Sequence, residues 1–225
     1  GRLLVMASSP SYDPNLVDDS ARLSAAVRDA RALIVRNRTQ VRGSLLESAA
    51  RLQVVGRLGV GLDNIDVPAC EARGIAVFPA TGANDLSVAE YVITAALVLL
   101  RRAWFATSRV AAGEWPRTEL MGRELAGKCL GLVGFGAIAR VTGRMGRDLG
   151  MSVAAYDPLL PADHPAWAGA LRQALPELLA TSDVVSLHVP LTDTTRNIID
   201  AAAIAAMKRG SILINAARGG VVDEA

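Results

Sequence analysis

The sequence has few aromatic residues and almost no excess of charge of either sign. Phenylalanine, tryptophan and tyrosine make up 4% of its 225 residues, and 24 basic residues against 22 acidic ones give a net charge of +2. Proteins that bind nucleic acid usually combine a basic surface with aromatic side chains that stack on bases. The basic clusters here are short, Arg36-Asn37-Arg38 and Arg101-Arg102. The composition therefore argues against a nucleic-acid partner.

Cysteine is also scarce, and no apolar stretch is long. Cys70 and Cys129 lie 59 positions apart, which matches no metal-binding or redox spacing, so we expect reduced thiols in a cytoplasmic protein and no metal site. Residues Gly1–Pro10 show no clear signal-peptide cleavage pattern. The most apolar segment, Val88–Leu100, contains Glu90 and is shorter than the ~20 residues of a membrane span. This segment predicts a buried helix and no membrane partner.

Apolar residues, at 51%, are abundant enough for a large core, and their arrangement predicts an α/β fold. In the first part of the chain, apolar runs follow segments with helical periodicity. The predicted strands are Ala32–Val35, Gln53–Val55 and Ala76–Phe78, and the helices before them are Ser20–Ala30, Ser44–Arg51 and Val67–Arg73. Leu3–Met6 is a further candidate strand. This alternation is typical of a parallel sheet covered by helices.

A second alternating series begins at Lys128. Its predicted strands are Cys129–Val133, Ser152–Tyr156, Asp183–Leu187 and Ser211–Asn215, and its helices are Ile138–Leu149, Leu171–Ala180 and Ala201–Met207. These strands lack polar alternation, as expected for parallel strands buried on both faces. Val221–Ala225 is interpreted as the first turn of another helix.

Between the two series, the sequence predicts a long helix that starts near Leu86. Residues 88–104 are apolar on nearly every side, which indicates burial in a core or against a partner. We therefore predict two α/β domains with parallel sheets, residues 1–84 and 85–225, with the long helix at 86–104.

Residues 134–139 have the pattern of a dinucleotide-binding turn. Gly134-Phe135-Gly136-Ala137-Ile138-Ala139 matches G-x-G-x-x-A, after a predicted strand and before a predicted helix. Asp157 ends the next strand, 23 residues after the first glycine and close to the usual spacing of ~20. A glycine-rich turn without a ligand is the alternative, but this context favours a dinucleotide.

Each position of the pattern has a physical role. Gly134 permits the tight turn, Gly136 lets a pyrophosphate approach the backbone, and Ala139 lets the helix pack closely on the strand. The N–H groups at the start of the helix then hold the phosphate charge. Asp157 would accept hydrogen bonds from the adenosine ribose and repel a 2′-phosphate, which predicts NAD rather than NADP.

Three further motifs follow a fixed order along the chain. They are Gly56–Asp66 (GRLGVGLDNID), continued through Arg73–Ile75, Thr81–Asn84 and Ser87–Glu90, then Leu187–Thr195 (LHVPLTDTT) and Asn215–Asp223 (NAARGGVVD). With the glycine-rich turn, they resemble the motifs of the D-isomer-specific 2-hydroxyacid dehydrogenase family, most of all its phosphoglycerate dehydrogenase and hydroxypyruvate reductase branches. The resemblance covers the chain from about Ala32, and Ala139 replaces the family's usual third glycine.

The resemblance implies an NAD-dependent dehydrogenase with a flavodoxin-like substrate domain at 1–84 and a Rossmann cofactor domain at 85–225. It also implies a homodimer through the helix at 86–104. The implied cofactor-binding residues lie in the glycine-rich turn, in three later loops and in the long helix: Gly134, Phe135, Gly136, Ala137, Ile138, Asp157, Pro158, His188, Val189, Pro190, Thr195, Asn215, Ala216, Ala217 and Val88.

Arg218 resembles the catalytic arginine of the family. Its guanidinium fork suits a carboxylate and an adjacent carbonyl oxygen, so it would orient a 2-oxo acid and polarise its C2 carbonyl. It follows a predicted strand at the end where open α/β sheets bind ligands. A solvated surface arginine is the alternative.

Two segments of the first domain are candidates for substrate binding. Gly59-Val60-Gly61 resembles the loop whose backbone N–H groups hold the substrate carboxylate, and an ordinary glycine turn is the alternative. Arg36-Asn37-Arg38 follows a predicted strand and could bind the far end of the substrate, which favours a second anionic group such as phosphate, sulfonate or carboxylate. Solvated loop arginines are the alternative there.

Neither histidine matches the acid/base of the family. By the resemblance, His188 lines the cofactor through packing and backbone, and His164 lies in a proline-rich loop near the adenine. The family's histidine and its partner glutamate follow the arginine motif, after Ala225, so we expect the natural protein to continue past this residue.

Two other functions stay open beside the dehydrogenase. One is an NAD-responsive corepressor scaffold without turnover, which one branch of the superfamily represents, and the other is a formate dehydrogenase. Arg218, the Gly59–Gly61 loop and the Arg36–Arg38 cluster favour an enzyme with an anionic substrate larger than formate. Phosphoglycerate, glycerate, sulfolactate and simple D-2-hydroxy acids all fit these features.

Overall fold

A computed structural model describes residues 20–36 and 38–225. The chain divides into two compact units, Gly1–Asn84 and Asp85–Ala225. Among the described residues, no helix has the length and apolar character needed to cross a membrane. The candidate strand Leu3–Met6 lies outside the described residues.

The first unit is built on a parallel sheet with the strand order β1-β2-β3. Its elements are α1 (Ser20–Ala26), β1 (Ala32–Val35), α2 (Gly43–Ser48), β2 (Val54–Arg57), α3 (Val67–Ala72) and β3 (Ala76–Pro79). Its apolar core includes the fully buried Val41, Val55 and Cys70. Because parallel strands end at one edge of a sheet, the chain after β2 meets the end of β1, where the Leu58 N–H donates to the Val35 carbonyl over 2.8 Å.

A long helix, α4 (Asp85–Arg101), opens the second unit. One side packs into the core of this unit through Val92 and Leu100, while Tyr91 on another side is exposed. The helix ends three residues before the predicted limit of 104, because Arg102 takes a positive φ of 58°. A short 3₁₀ turn (Ala103–Ala106) and α5 (Thr107–Ala111) follow.

The rest of the second unit is a five-stranded parallel sheet with the order β6-β5-β4-β7-β8. Its elements are β4 (Cys129–Val133), α6 (Ala137–Asp148), β5 (Ser152–Tyr156), β6 (Leu171–Arg172), α7 (Leu175–Thr181), β7 (Val184–Leu187), α8 (Ala201–Ala206) and β8 (Ile212–Asn215). The strand order reverses between β4 and β7, and open α/β sheets bind ligands at such a reversal. The predicted α/β class with parallel sheets is confirmed.

The helix predicted at Leu171–Ala180 is wrong at its start. The helix α7 begins only at Leu175, because Pro176 fits the first turn of a helix and not its interior. The two residues Leu171–Arg172 pair with β5 instead.

The helical turn predicted at Val221–Ala225 is also wrong. Val222 forms a parallel bridge with Ile199, and the Asp223 N–H donates to the Ile199 carbonyl over 2.9 Å. Val221 is fully buried beside Ile199, so burial of this apolar side chain favours the extended segment.

Candidate dinucleotide and substrate sites

Gly134 lies where the loops after β4 and β7 touch. Its φ is +85°, and a Cβ at this position would lie 2.9 Å from the His188 carbonyl oxygen and 3.0 Å from Val189. The His188 N–H donates to the Val133 carbonyl over 2.7 Å. Two constraints therefore require glycine at position 134: the positive φ, and the close approach of His188 and Val189. The contact brings three predicted site residues together at the reversal of strand order.

Gly136, two residues later, is the N-cap of α6 and faces open space. Its φ is −71°, and a Cβ there would meet no atom of the described residues within 4 Å. Ala137 and Ile138 form the first turn of α6, whose N–H groups suit an anion. Ala139 is fully buried, which agrees with its predicted role in close packing. This turn fits the pyrophosphate of a dinucleotide.

Asp157 directly follows β5 and is tied to the glycine-rich turn. Its Oδ2 accepts a hydrogen bond from the Phe135 N–H and its Oδ1 accepts one from the Leu159 N–H, both over 2.9 Å. The Gly134 N–H donates to the Tyr156 carbonyl over 2.8 Å. The carboxylate is thus held at the turn, and its remaining lone pairs can accept hydrogen bonds from ribose hydroxyls.

An aromatic stack that the sequence did not predict supports this turn. The rings of Phe135 and Trp167 are stacked with centroids 5.2 Å apart and an interplanar angle of 16°. The Trp167 Nε1–H donates to the Pro161 carbonyl over 2.7 Å, and the Arg172 guanidinium lies 5.8 Å from the Trp167 ring centroid. The stack joins the glycine-rich turn to the segment after Pro158. No sequence pattern links residues 135 and 167, so only the structure shows this support.

The segment after β7 begins with His188, whose side chain is uncharged. Burial lowers the pKa of His188 to about 4, so its imidazole is uncharged at pH 7. Its Nε2 lies 3.0 Å from the Ser186 Oγ. Further along, the Thr195 Oγ1 donates to the Pro190 carbonyl over 2.6 Å and closes the loop on itself.

The loop after β8 holds Arg218 in a tight turn. The Asn215 Nδ2 donates to the Arg218 carbonyl over 2.8 Å, and the Asn215 Oδ1 accepts from the Ala217 N–H over 3.1 Å. A Cβ on Gly220, just after the arginine, would lie 3.6 Å from the Leu191 side chain. The loops after β7 and β8 are therefore neighbours, as expected for adjacent parallel strands.

In the first unit, a buried arginine lies against the Gly59–Gly61 loop. Gly59 has a φ of +151°, and a Cβ there would lie 2.6 Å from the Arg57 Nη1. Arg57 is 8% exposed, and its Nη1 donates to the Leu58 carbonyl over 2.7 Å. Gly59 is thus more than an ordinary turn residue, because a side chain would displace this guanidinium. Val60 and Gly61 are partly exposed beside it.

A buried asparagine joins this loop to the segment after β1. The Asn64 Oδ1 accepts from the Arg57 Nε–H over 3.2 Å, and its Nδ2 donates to the carbonyls of Arg36 (2.8 Å) and Thr39 (2.7 Å). The sequence reasoning missed both Arg57 and Asn64 as site residues, although both lie in the Gly56–Asp66 motif. Asn37 lies outside the described residues.

The remaining predicted residues lie on the elements described above. Ala216 and Ala217 are half-buried in the loop after β8, Pro158 is exposed next to Asp157, and Val88 is half-buried in the first turn of α4.

Comparison with protein families shows what these motifs are similar to. Residues 93–225 match the model of the D-isomer specific 2-hydroxyacid dehydrogenase NAD binding domain. The chain is 57% identical, over 96% of its length, to an (S)-sulfolactate dehydrogenase of Chromohalobacter salexigens. It is 41% identical, over 88% of its length, to a D-3-phosphoglycerate dehydrogenase of Methanocaldococcus jannaschii. A hydroxypyruvate reductase of Thermotoga maritima is 40% identical over 90% of the chain.

Two solved structures with bound NAD are similar in fold. A D-lactate dehydrogenase of Aquifex aeolicus, complexed with NAD and lactic acid, has a TM-score of 0.81 and 34% identity over 89% of this chain. An NAD-dependent formate dehydrogenase of Staphylococcus aureus has a TM-score of 0.79 and 30% identity over 92%. This chain covers only part of the length of each relative. It spans 60% of the D-lactate dehydrogenase and 62% of the formate dehydrogenase. It spans 70% of the sulfolactate dehydrogenase, 65% of the hydroxypyruvate reductase and 38% of the phosphoglycerate dehydrogenase.

Proposed function

Because the chain belongs to the D-isomer-specific 2-hydroxyacid dehydrogenase family, we propose that the whole protein transfers a hydride between NAD and C2 of a small 2-hydroxy or 2-oxo acid. The proposal rests on the turn formed by Gly134, Phe135 and Gly136 at the reversal of strand order. In this turn the Phe135 N–H donates a hydrogen bond to the Asp157 carboxylate. In this function residues 1–84 are the substrate domain, and residues 85–225 are the cofactor domain.

The second unit supplies the groups that would bind NAD. The glycine-rich turn and the start of α6 hold the pyrophosphate, and Asp157 binds the adenosine ribose and disfavours NADP. The other proposed contacts line the cofactor through backbone and packing: Phe135, Pro158, His188, Val189, Pro190, Thr195, Asn215, Ala216, Ala217 and Val88. When bound, the nicotinamide accepts or supplies the hydride.

Arg218 is the proposed catalytic residue of this unit. Its delocalised, permanently charged guanidinium can bind the carboxylate and the C2 oxygen of a 2-oxo acid together. Binding stabilises the negative charge that develops on the C2 oxygen as hydride arrives. The half-buried position of Arg218 in a closed turn supports this role.

For the first unit we propose that Gly59, Val60 and Gly61 bind the substrate carboxylate, and that Arg36 and Asn37 bind its second polar group. The buried Arg57 beside Gly59 adds positive charge at this loop. A second anionic group on the substrate, as in sulfolactate, phosphoglycerate or glycerate-like acids, fits this charge. The 57% identity to a sulfolactate dehydrogenase favours a sulfonate.

We also propose a cytoplasmic homodimer formed through the 86–104 region. Several apolar side chains of this region are exposed, among them Leu86, Tyr91 and Trp104, and exposed apolar surface is used in protein interfaces when it is contiguous. The two cysteines, Cys70 and Cys129, are unpaired, which fits a reducing compartment.

The test is NADH oxidation by the purified full-length protein, followed by absorbance, against a panel of 2-oxo acids. The panel contains sulfopyruvate, phosphohydroxypyruvate, hydroxypyruvate, glyoxylate and pyruvate, and formate with NAD is assayed in parallel. We expect turnover on an acid with a second anionic group. No turnover on any acid, together with tight NADH binding, would favour the NAD-responsive corepressor scaffold. Oxidation of formate would favour a formate dehydrogenase.

A further inference from the structure

The side chain of Asn215, the last residue of β8, closes the turn that contains Arg218. Its Oδ1 accepts a hydrogen bond from the Ala217 N–H over 3.1 Å, and its Nδ2 donates to the Arg218 carbonyl over 2.8 Å. One carboxamide thus fixes the backbone at the arginine and at the residue before it. These two bonds require a donor and an acceptor on the same planar group, which asparagine has and an ionised aspartate of the same length lacks.

A second anchor holds the same turn from its other end. The Val221 N–H donates to the Arg218 carbonyl over 3.4 Å, and Val221 is fully buried with Leu187 and Ile199. Within the turn, the Arg218 Nη1 donates to the Ala217 carbonyl over 2.9 Å. The position of the guanidinium therefore depends on a backbone that Asn215 and the core fix together.

We propose that Asn215 is a positioning residue for Arg218. Its carboxamide fixes the turn that directs the guanidinium toward the 2-oxo acid, and the side chain acts through the arginine without touching the substrate. The inference rests on the proposed role of Arg218. It goes beyond a cofactor-lining role for Asn215, because both polar atoms of the carboxamide are engaged within their own turn. A displacement of about 1 Å at a reacting group can lower the rate roughly 100-fold.

Two substitutions test the positioning role in the full-length protein. Asn215→Ala removes both hydrogen bonds, whereas Asn215→Asp keeps the acceptor for the Ala217 N–H and places an oxygen against the Arg218 carbonyl. Asn215 is exposed, so we expect both variants to fold. We expect kcat/KM for the best 2-oxo acid to fall about 10–100-fold in both variants, while the NADH dissociation constant stays within roughly threefold.

Gln53→Ala is the matched control, since Gln53 is also an exposed carboxamide with two side-chain hydrogen bonds, both from Arg31. Its kcat/KM is expected to equal that of the wild type. A second readout is the Asn215→Ala change in an Arg218→Ala background, which has no guanidinium to position, so its effect on kcat/KM should shrink to less than about threefold.

Three results would overturn the inference, each in a different way. Wild-type kcat/KM in Asn215→Ala would show that the carboxamide does not position the arginine. A rise in the NADH dissociation constant that matches the fall in kcat/KM would assign the side chain to the cofactor. Turnover lost to the same extent with Arg and with Ala at 218 would show that Asn215 acts independently of the arginine. A wild-type protein inactive on every acid would instead contradict the proposed function, and with it the role of Arg218.

Discussion

Gly134 and Gly136 stand two positions apart in one turn, but the structure constrains them differently. At Gly134, the positive φ and the nearby His188 carbonyl both oppose a side chain, whereas a Cβ on Gly136 would have no described residue within 4 Å. We expect Gly134→Ala to lower the free energy of unfolding by about 1–3 kcal/mol, and Gly136→Ala to leave it within roughly 0.5 kcal/mol. Gly136→Ala should nevertheless weaken NADH binding, because its methyl group would occupy the space proposed for the pyrophosphate. Urea unfolding and NADH titration test the pair, and equal stability of the two variants would contradict the first expectation.

Asp157 is expected to decide between NAD and NADP. Asp157→Ala removes the proposed charged acceptor for the ribose and the observed acceptor of the Phe135 N–H, so NADH binding should weaken about tenfold or more. The affinity for NADPH should fall less than the affinity for NADH, because the variant has no carboxylate at position 157 to repel the 2′-phosphate. Fluorescence titration with both nucleotides measures the ratio. Asp157→Asn, which keeps one oxygen and loses the charge, is the control, and an unchanged ratio in both variants would refute the ribose role.

Arg218 is expected to affect turnover and not cofactor binding. Arg218→Ala removes the group that we propose stabilises developing charge on the C2 oxygen, and loss of such a group should lower kcat by about 100–1000-fold or more. The NADH dissociation constant should stay within several-fold of the wild-type value. Loss of NADH binding in this variant would mean that Arg218 belongs to the cofactor site.

Among the elements, the strands were easiest to predict from the sequence. A parallel strand buried on both faces is a short apolar run, and Ala32–Val35, Cys129–Val133 and Ser152–Tyr156 have the predicted bounds. The two-residue strand β6 was missed because both its residues are exposed, with Leu171 63% exposed. Its pairing with β5 is visible only in three dimensions.

The candidate site was predictable where a motif has a local cause and not where distant residues meet. The positive φ of Gly134 and the open space beside Gly136 both arise within one turn. Asn64, in contrast, bonds to groups 7, 25 and 28 positions away, and nothing in its own segment indicates these partners.

Asn64 joins two loops of the first unit, so its loss should affect both stability and substrate binding. In Asn64→Ala, the carbonyls of Arg36 and Thr39 lose a buried donor, which should lower the free energy of unfolding by about 1–3 kcal/mol. The KM for the 2-oxo acid should rise while the NADH dissociation constant stays unchanged, because these loops hold the proposed substrate-binding residues. Gln53→Ala, which removes an exposed carboxamide of the same unit, is the control for both measurements. An unchanged KM in a folded Asn64→Ala variant would show that the two loops do not contribute to substrate binding.

For the whole molecule, each unit by itself has its candidate residues at the carboxyl edge of its sheet. Arg36 and Gly59 follow β1 and β2 in the first unit, and Gly134 and Asp157 follow β4 and β5 in the second. Since parallel strands all end at one edge, residues far apart in sequence become neighbours there. This explains why motifs spread over the chain can serve one ligand in each unit.

The second unit also exposes large apolar side chains, which bear on the proposed homodimer. Tyr91 on α4 and Trp104 just after it are 61% and 72% exposed. If a second copy covers them, a charge there must be desolvated in the interface, which costs several kcal/mol. The double variant Tyr91→Asp/Trp104→Asp should therefore shift the mass measured by light scattering from dimer to monomer. Ile204→Asp, at a 47% exposed position on α8, should remain dimeric. A monomeric wild type would contradict the homodimer, and dissociation of the Ile204 variant as well would show that added charge alone, and not its position, separates the subunits.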